Sequence, residues 1–356
     1  MLMDNPFDFK TKLLHNSDHV AKILKGERPF PLQLEVDLAN ICNHACSFCN
    51  MADTLSSDNS VLDTSILLNT LQDAFVLGSR AISFTGGGEP TTHRDFASIS
   101  YEARSIGFDL GLITNAALLT SSRSKAVVDN FQWVRISMGG PTPESYSSIQ
   151  GKDDFHRVLN NVRALSLARN SESKPLNIGL KFVLCESSYQ HLPDFVHYLD
   201  AHHIDGSNVD YIQLVPNQYT SDGGNFISST PLLNAIDQLR SLLANLNIPL
   251  HSSFYSVSSD DRDLSFSKHC FAHFFQAVIT ADGDFTYCKN TRDTSALHLG
   301  NIYHRSLEDI WNAESTMSLE SHICAANCNT FCKSLALNNI FQSLVDPAPG
   351  YSSTFF

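Results

Sequence analysis

Three thiols stand close together in the run Ile41-Cys42-Asn43-His44-Ala45-Cys46-Ser47-Phe48-Cys49, with the spacing Cys-x3-Cys-x2-Cys. Thiolates are soft donors that suit zinc or iron–sulfur clusters. Three local ligands leave a fourth metal position open, and an open position is where a substrate or cosubstrate binds. The spacing alone leaves a zinc knuckle, or three unrelated core thiols, as rivals to a catalytic cluster. Further on, Phe84-Thr85-Gly86-Gly87-Gly88-Glu89-Pro90 sets glycines beside a carboxylate. Glycines let a backbone approach a ligand, and the carboxylate can receive an ammonium group. The plain alternative is a glycine-rich turn between a strand and a helix. Five more cysteines gather towards the C-terminus, Cys270, Cys288, Cys324, Cys328 and Cys332, while Cys185 stands alone.

The elements that must position these residues are legible as periodicities. Short apolar runs at 32–38, 81–85, 109–114, 133–137, 177–184 and 210–215 alternate with segments such as 65–78, 94–106, 156–169 and 190–203, whose apolar residues recur at three and four. Strand then helix, six times over, predicts parallel βα units with right-handed crossovers. Polar or glycine-rich residues follow almost every strand: Cys42, Gly86–Pro90, Asn115, Ser137–Gly140, Glu186 and Asn217. In βα barrels the C-terminal strand ends carry the chemistry, so these residues converge on one mouth. The alternation fades after 216. A polar loop at 217–229, a helix at about 230–246 and a polar stretch at 256–265 follow. Then FFQAVIT and DFTYC flank Asp282-Gly283, a hairpin signal. Residues 306–315 suit a short helix with Ser306 as N-cap and Asp309 in a near capping box. The expected division is an N-terminal helix and linker at 1–30, a barrel at 31–217, a connection at 218–265, a small cluster-binding domain at 266–340 and a tail at 341–356.

Composition narrows the classes. Hydrophobic residues are 42% of the 356, enough for a sizeable core, and charged residues are only 17%, too few for a disordered chain. The formal net charge of −13 with no Lys/Arg block disfavours nucleic acid as a partner. No apolar stretch reaches the roughly 18 residues of a membrane span, and Asp and Lys interrupt the place where a signal peptide needs an apolar run. The expectation is a cytoplasmic protein without membrane contact. Nine cysteines in such a chain point to metal or catalysis before disulfides.

The cysteine run with Phe48 before its last thiol resembles the signature of the radical S-adenosylmethionine (SAM) superfamily, and Gly87-Gly88-Glu89-Pro90 resembles that family's SAM-binding loop. The resemblance spans about residues 40–217 and implies a partial (β/α)6 barrel, an α/β fold. It also implies that Cys42, Cys46 and Cys49 hold a [4Fe–4S] cluster whose unique iron binds SAM. Reductive cleavage would then give a 5′-deoxyadenosyl radical, with electrons from a donor such as flavodoxin or ferredoxin. Asn115 and Ser137 match positions of ribose or carboxylate contacts, with helix capping as their alternative role. Val183, with Glu186, falls where the fifth strand contacts adenine. The run Cys270-x12-Gly283-x4-Cys288, then Leu299-Gly300-Asn301-Ile302, Ser306-Leu307, Ile310-Trp311 and the last three cysteines, resembles the SPASM/twitch extensions of the family, in their hairpin-plus-helix form. Five cysteines suit one auxiliary [4Fe–4S] cluster, on Cys270, Cys288, Cys328 and Cys332, with Cys324 as the alternative ligand. A structural zinc site using His269, His273 or His322 is the rival.

Three functions remain open from the sequence. The first is oxidation of a small polar molecule or a peptide side chain, aided by the auxiliary cluster. The second is redox-neutral chemistry such as epimerisation, crosslinking or decarboxylation, with Cys185 or Cys324 as hydrogen donor. The third is a non-catalytic iron–sulfur or zinc scaffold, against which the glycine-rich loop argues. Residues 1–31 precede the first predicted strand, fewer than a leader-peptide-binding domain needs, which tilts the expectation to a small substrate. His93 is either a substrate contact or a helix-start residue.

Overall fold

The predicted strands carry large apolar residues at every second position, and that alternation separates the two faces of one sheet. The computed structural model describes residues 9–216, 229–252, 270–292, 294–320 and 334–345. Its strands are β1 (Gln33–Asp37), β2 (Ala81–Thr85), β3 (Asp109–Thr114), β4 (Phe131–Met138), β5 (Asn177–Leu184), β6 (Tyr211–Pro216) and β7 (Leu250–Ser252), then β8 (Gln276–Ile279), β9 (Asp284–Thr286) and β10 (His298–Asn301). The helices are α1 (Phe9–His15), α2 (Ser17–Leu24), α3 (Ala52–Ser57), α4 (Thr64–Leu77), α5 (Phe96–Ile106), α6 (Ser121–Asn130) and α7 (Pro143–Gln150). They continue with α8 (Phe155–Ser171), α9 (Phe195–Ala201), α10 (Thr230–Asn245), α11 (Leu307–Trp311), α12 (Glu314–Glu320) and α13 (Leu335–Val345).

Strands β1 to β7 pair in sequence order and in parallel. The six expected strands form the core of this partial barrel, and the three-residue β7, too short to read from the sequence, extends it beside β6. Leu34, Val36, Ile82, Phe84, Leu112, Val134, Ile136, Leu180 and Leu214 are buried on the convex face. They join one core with Leu67, Leu71, Ile99, Ala103, Val158, Val162, Leu165 and Leu239 of the surrounding helices. The residues of opposite parity, among them Glu35, Asp37, Ser83, Arg135, Ser137 and Lys181, therefore line the concave face.

The hairpin forms where Asp282-Gly283 predicts it, with Gly283 at a φ of 88° and its N–H donating to Thr280 O at 3.0 Å. Its first strand, β8, pairs in parallel with β1, Gln33 opposite Gln276, so the hairpin continues the barrel sheet. The segment before β1 holds this junction. His19 Nε2 lies 2.7 Å from Phe274 O, Phe30 stacks on Phe285 at 5.9 Å, and Arg28 lies over the Trp311 ring at 5.0 Å. Ser306 caps α11 as expected, its hydroxyl accepting from Asp309 N at 3.1 Å; α11 ends at Trp311 rather than 315.

A buried ion group crosses the same junction. Arg292 Nε donates to Asp37 Oδ2 at 2.7 Å, and Nη2 donates to Asp37 Oδ1 and Glu35 Oε2 at 3.0 Å each. Burial pushes the Asp37 carboxyl up, against the pull of the guanidinium. All three side chains are nearly excluded from solvent. Removing one partner from such a group leaves an uncompensated buried charge and costs about 3–5 kcal/mol. Arg292→Met is expected to lower the urea midpoint accordingly, and to cost less in a Glu35→Gln/Asp37→Asn background, where no carboxylate is left unpaired.

Candidate active site

The cysteine run leaves β1 as a loop held by backbone hydrogen bonds from three sides. Asn40 N donates to Ser60 O at 2.8 Å and Leu62 N to Leu38 O at 3.0 Å. Gly88 N donates to Ala39 O at 3.0 Å and Glu89 N to Ile41 O at 2.9 Å. The C-terminal carbonyls of α7 take the third side, with Ala45 N donating to Gln150 O at 3.0 Å and Ser47 N to Ile149 O at 2.8 Å. Both ends of α7 are firmly set, which fixes where those carbonyls point. Thr142 and Ser145 form a capping box, Pro143 opens the first turn and Gly151 ends it in the left-handed region. Cys42, Cys46 and Cys49 are half-buried free thiols. The Cys46 thiol bonds Gln150 Oε1, and His44 N lies 3.4 Å from Cys42 Sγ.

The donor set fits an iron–sulfur cluster on two observations. Burial, reinforced by the neighbouring thiols and Glu89, pushes Cys42 to about 11 and Cys46 to about 12, so ionised ligands need a positive centre among them. Two buried polar atoms beside the loop, His44 Nδ1 and Tyr146 Oη, have no hydrogen-bond partner among the described residues. Of the two, the Tyr146 hydroxyl is a donor; leaving it orphaned costs about 1–3 kcal/mol, a cost that an acceptor such as cluster sulfur would offset.

The glycine-rich loop closes directly onto this segment. A Cβ at Gly88 would meet Ile41 O at 2.3 Å and one at Gly87 would meet Asn40 Oδ1 at 2.3 Å, so both glycines admit the cysteine loop itself. Glu89 is buried beneath them. Its Oε1 accepts from Thr91 N at 3.1 Å and from Thr114 Oγ1 at 2.6 Å, and its Oε2 accepts from Asn115 N at 2.8 Å. Asn115 Nδ2 in turn donates to Asn43 Oδ1 at 2.8 Å. The ends of β2 and β3 and the cysteine loop are thus one network, and Oε2 keeps acceptor capacity for a further donor. Pro90 opens a short 3-10 turn with Glu89 as its N-cap. Phe48 is half-buried in the cysteine loop, and Ser137 and Val183 lie on the concave face near the mouth. His93 is buried, bonding Leu62 O at 2.9 Å and accepting from Asp95 N at 3.1 Å, a structural role. Cys185 is half-buried just past β5, its thiol pKa raised by burial.

At the second cysteine group, Cys270 and Cys288 flank the hairpin. Asn338 on α13 accepts from Phe271 N at 2.9 Å and Ala272 N at 3.1 Å, and its Nδ2 lies 3.7 Å from Cys270 Sγ. Cys288 caps a 3-10 turn, with Asn290 N 3.4 Å from its sulfur. Cys324, Cys328 and Cys332 lie outside the described residues. Sequence reasoning did not find Gln150, Asn338 or Arg292. Only Arg292 left a signal, in the two acids at alternate positions of β1 that need a cation.

Residues 36–178 match the Radical SAM superfamily and residues 270–333 match SPASM, an iron–sulfur cluster-binding domain. The first domain binds a [4Fe–4S] cluster and SAM, the second binds auxiliary iron–sulfur clusters, and both cysteine groups fall within the matches. Iron–sulfur rather than zinc is therefore the metal chemistry of this chain. A cofactor-modifying protein for the tungsten-containing aldehyde ferredoxin oxidoreductase of Pyrococcus furiosus is 26% identical over 302 residues, 79% of this chain and 81% of that protein. A probable GTP 3′,8-cyclase of Metallosphaera sedula is 29% identical over 177 residues, 49% of this chain. The chain spans about half the length of that cyclase, 54%. Streptococcus suis SuiB, solved with S-adenosylmethionine and with its precursor peptide SuiA, superposes with a TM-score of 0.62 in the first case at 18% identity, over 88% of this chain and 74% of SuiB. The structure of anSMEcpe with bound AdoMet gives a TM-score of 0.58 at 18% identity, over 81% of this chain and 82% of its own. At these identities the likeness to solved structures shows the fold.

Glu89→Gln sets an amide N–H₂ against groups that already donate. It is expected to lower thermal stability by about 1–3 kcal/mol and to weaken SAM binding about tenfold or more, measured by melting and by anaerobic calorimetry.

Proposed function

We propose, on the premise that the chain is a radical SAM superfamily protein with a SPASM-type domain, that it oxidises a small polar molecule or a peptide side chain. The reading places one [4Fe–4S] cluster on Cys42, Cys46 and Cys49 and one auxiliary cluster on Cys270, Cys288, Cys328 and Cys332, with Cys324 as the alternative. SAM is held by Gly87, Gly88, Glu89 and Pro90, with Asn115, Ser137, Val183 and Phe48 completing its pocket. Cleaved there by an electron from a flavodoxin or ferredoxin, it supplies the radical that takes a hydrogen atom from the substrate.

The chain's own residues do the rest. The Glu89 carboxylate, desolvated and fixed by three elements, presents Oε2 to the SAM ammonium. Asn115, tied to Asn43, keeps that pocket in register with the cysteine loop. The substrate lies on the concave face below these loops, where the surrounding sheet excludes water. The observation that carries the reading is the Glu89–Asn115–Asn43 network, which joins the glycine-rich loop and the cysteine loop into one rigid mouth. The relatives' names include GTP, a metal cofactor and a precursor peptide, which supports both a small substrate and a peptide.

A second reading, redox-neutral transfer, is favoured by Cys185, whose raised pKa keeps an S–H at the end of β5. Cys185→Ala would then abolish product without changing SAM cleavage.

Anaerobic reconstitution is expected to load about eight irons, and Cys42→Ala/Cys46→Ala/Cys49→Ala to remove about four and abolish SAM cleavage. Cys270→Ala/Cys288→Ala should also lose about four irons but still release 5′-deoxyadenosine uncoupled from product. Wild-type substrate turnover in that second variant would remove the support for an oxidative role of the auxiliary cluster.

A further inference from the structure

The concave face carries a charge pattern that the SAM pocket does not use. On β1 both carboxylates, Glu35 and Asp37, are engaged by Arg292. From β3 to β7, apart from Asp109 at the N-terminal rim paired with Arg104, no concave strand position carries a carboxylate. Two carry cations: Arg135 on β4 and Lys181 on β5.

Two glycines make room for the groups that place Arg135. A Cβ at Gly111 would lie 2.1 Å from the Trp133 ring, and one at Gly179 would lie 2.2 Å from the Tyr211 ring, so both rings reach over neighbouring strands. Arg135 is held between them, its guanidinium 5.3 Å from the Trp133 centroid and its Nε donating to Tyr211 Oη at 3.4 Å. Arg135 lies opposite Gly179, and Lys181 lies one step nearer the mouth, opposite Ser137 and Gln213. With strands about 4.8 Å apart and a rise of about 3.3 Å per residue, the two Cα atoms are about 8 Å apart, close enough for both head groups to reach one anion. Both side chains also have contacts within the chain, so an anion joins existing partners. Two cations on adjacent strands repel each other, and a bound anion turns that repulsion into attraction.

We infer that the concave wall of β4 to β6 is an oxyanion pocket, and that the substrate carries a phosphate or carboxylate group gripped by Arg135 and Lys181. This deepens, and rests on, the reading of the concave face as the substrate chamber. Arg135 supplies a planar fork for two oxygens and Lys181 a point charge nearer the mouth. The anion anchors the far end of the substrate, below the strand ends where the SAM loops lie.

The test is anaerobic calorimetry of the cluster-loaded, SAM-bound protein with phenyl phosphate and, separately, phenylacetate. Wild type is expected to bind at least one probe, and Arg135→Gln/Lys181→Gln to bind it about tenfold more weakly or worse. Lys181→Arg, which keeps the charge, should retain most of the affinity. Selectivity between the probes identifies the substrate's anion as phosphate or carboxylate. If the double variant does not fold, Lys181→Met against Lys181→Arg gives the same comparison. No binding of either probe by wild type, or equal binding by the charge-removing variant, overturns the inference. Release of 5′-deoxyadenosine by a dithionite-reduced portion of the wild-type sample is recorded alongside. Cleavage of SAM without probe binding fails the oxyanion pocket alone, whereas no cleavage fails the reading beneath it.

Discussion

Arg292 stands where β1 meets the hairpin, and its bonds decide whether the mouth can form. Glu35 and Asp37 project from β1 onto the concave face, and two desolvated carboxylates are not tolerated there without a cation. The cation comes from 255 residues away, on the turn that follows Cys288. Asp37 also lies against Gly86, whose added Cβ would sit 2.9 Å from Oδ1, and Gly86 adopts a φ of 140° that favours glycine. One guanidinium therefore sets the end of β1, the start of the glycine-rich loop and the position of the hairpin. His298 steadies it from behind, its Nε2 2.8 Å from Arg292 O and its Nδ1 2.8 Å from Asp284 Oδ2.

The mouth built on this anchor is tighter than a glycine-rich sequence suggests. Glycines beside a carboxylate invite the picture of a backbone cradling a ligand. Here the space at Gly87 and Gly88 is taken by the cysteine loop, and Glu89 beneath them is locked from three directions. A pocket whose own parts touch this closely loses little conformational entropy when it binds, which favours affinity and geometric fidelity together.

What the sequence disclosed is what is local. Thiols at three- and two-residue separations, alternation in six strands, Asp282-Gly283 and the Ser306 cap each fit within a short window, and each stands where expected. Contacts set by tertiary packing were not legible. Gln150 is an ordinary polar residue at a helix end until α7 docks on the cysteine loop. Asn338 lies within an apolar helix, and only the approach of the hairpin gives its amide partners. The hairpin itself was readable, but its pairing with β1 was not, because a four-residue strand has no signal for its neighbour. Gly111 of β3 and Gly179 of β5 leave gaps on the concave face that only the rings of Trp133 and Tyr211, on neighbouring strands, fill.

The parallel pairing of β1 with β8 also bears on how the chain is made. Gln276, which bonds Glu35, follows it by 241 residues. At synthesis rates of roughly 5–20 residues per second, that interval is roughly 12–48 s. Throughout it β2 can pair on one side of β1, while the other side stays an open edge with unsatisfied amides and carbonyls. The nascent barrel thus spends its first moments with the cysteine loop beside an unsealed seam. Its acidic residues there, still hydrated, discourage edge-to-edge association until β8 covers that edge and Arg292 pairs with them.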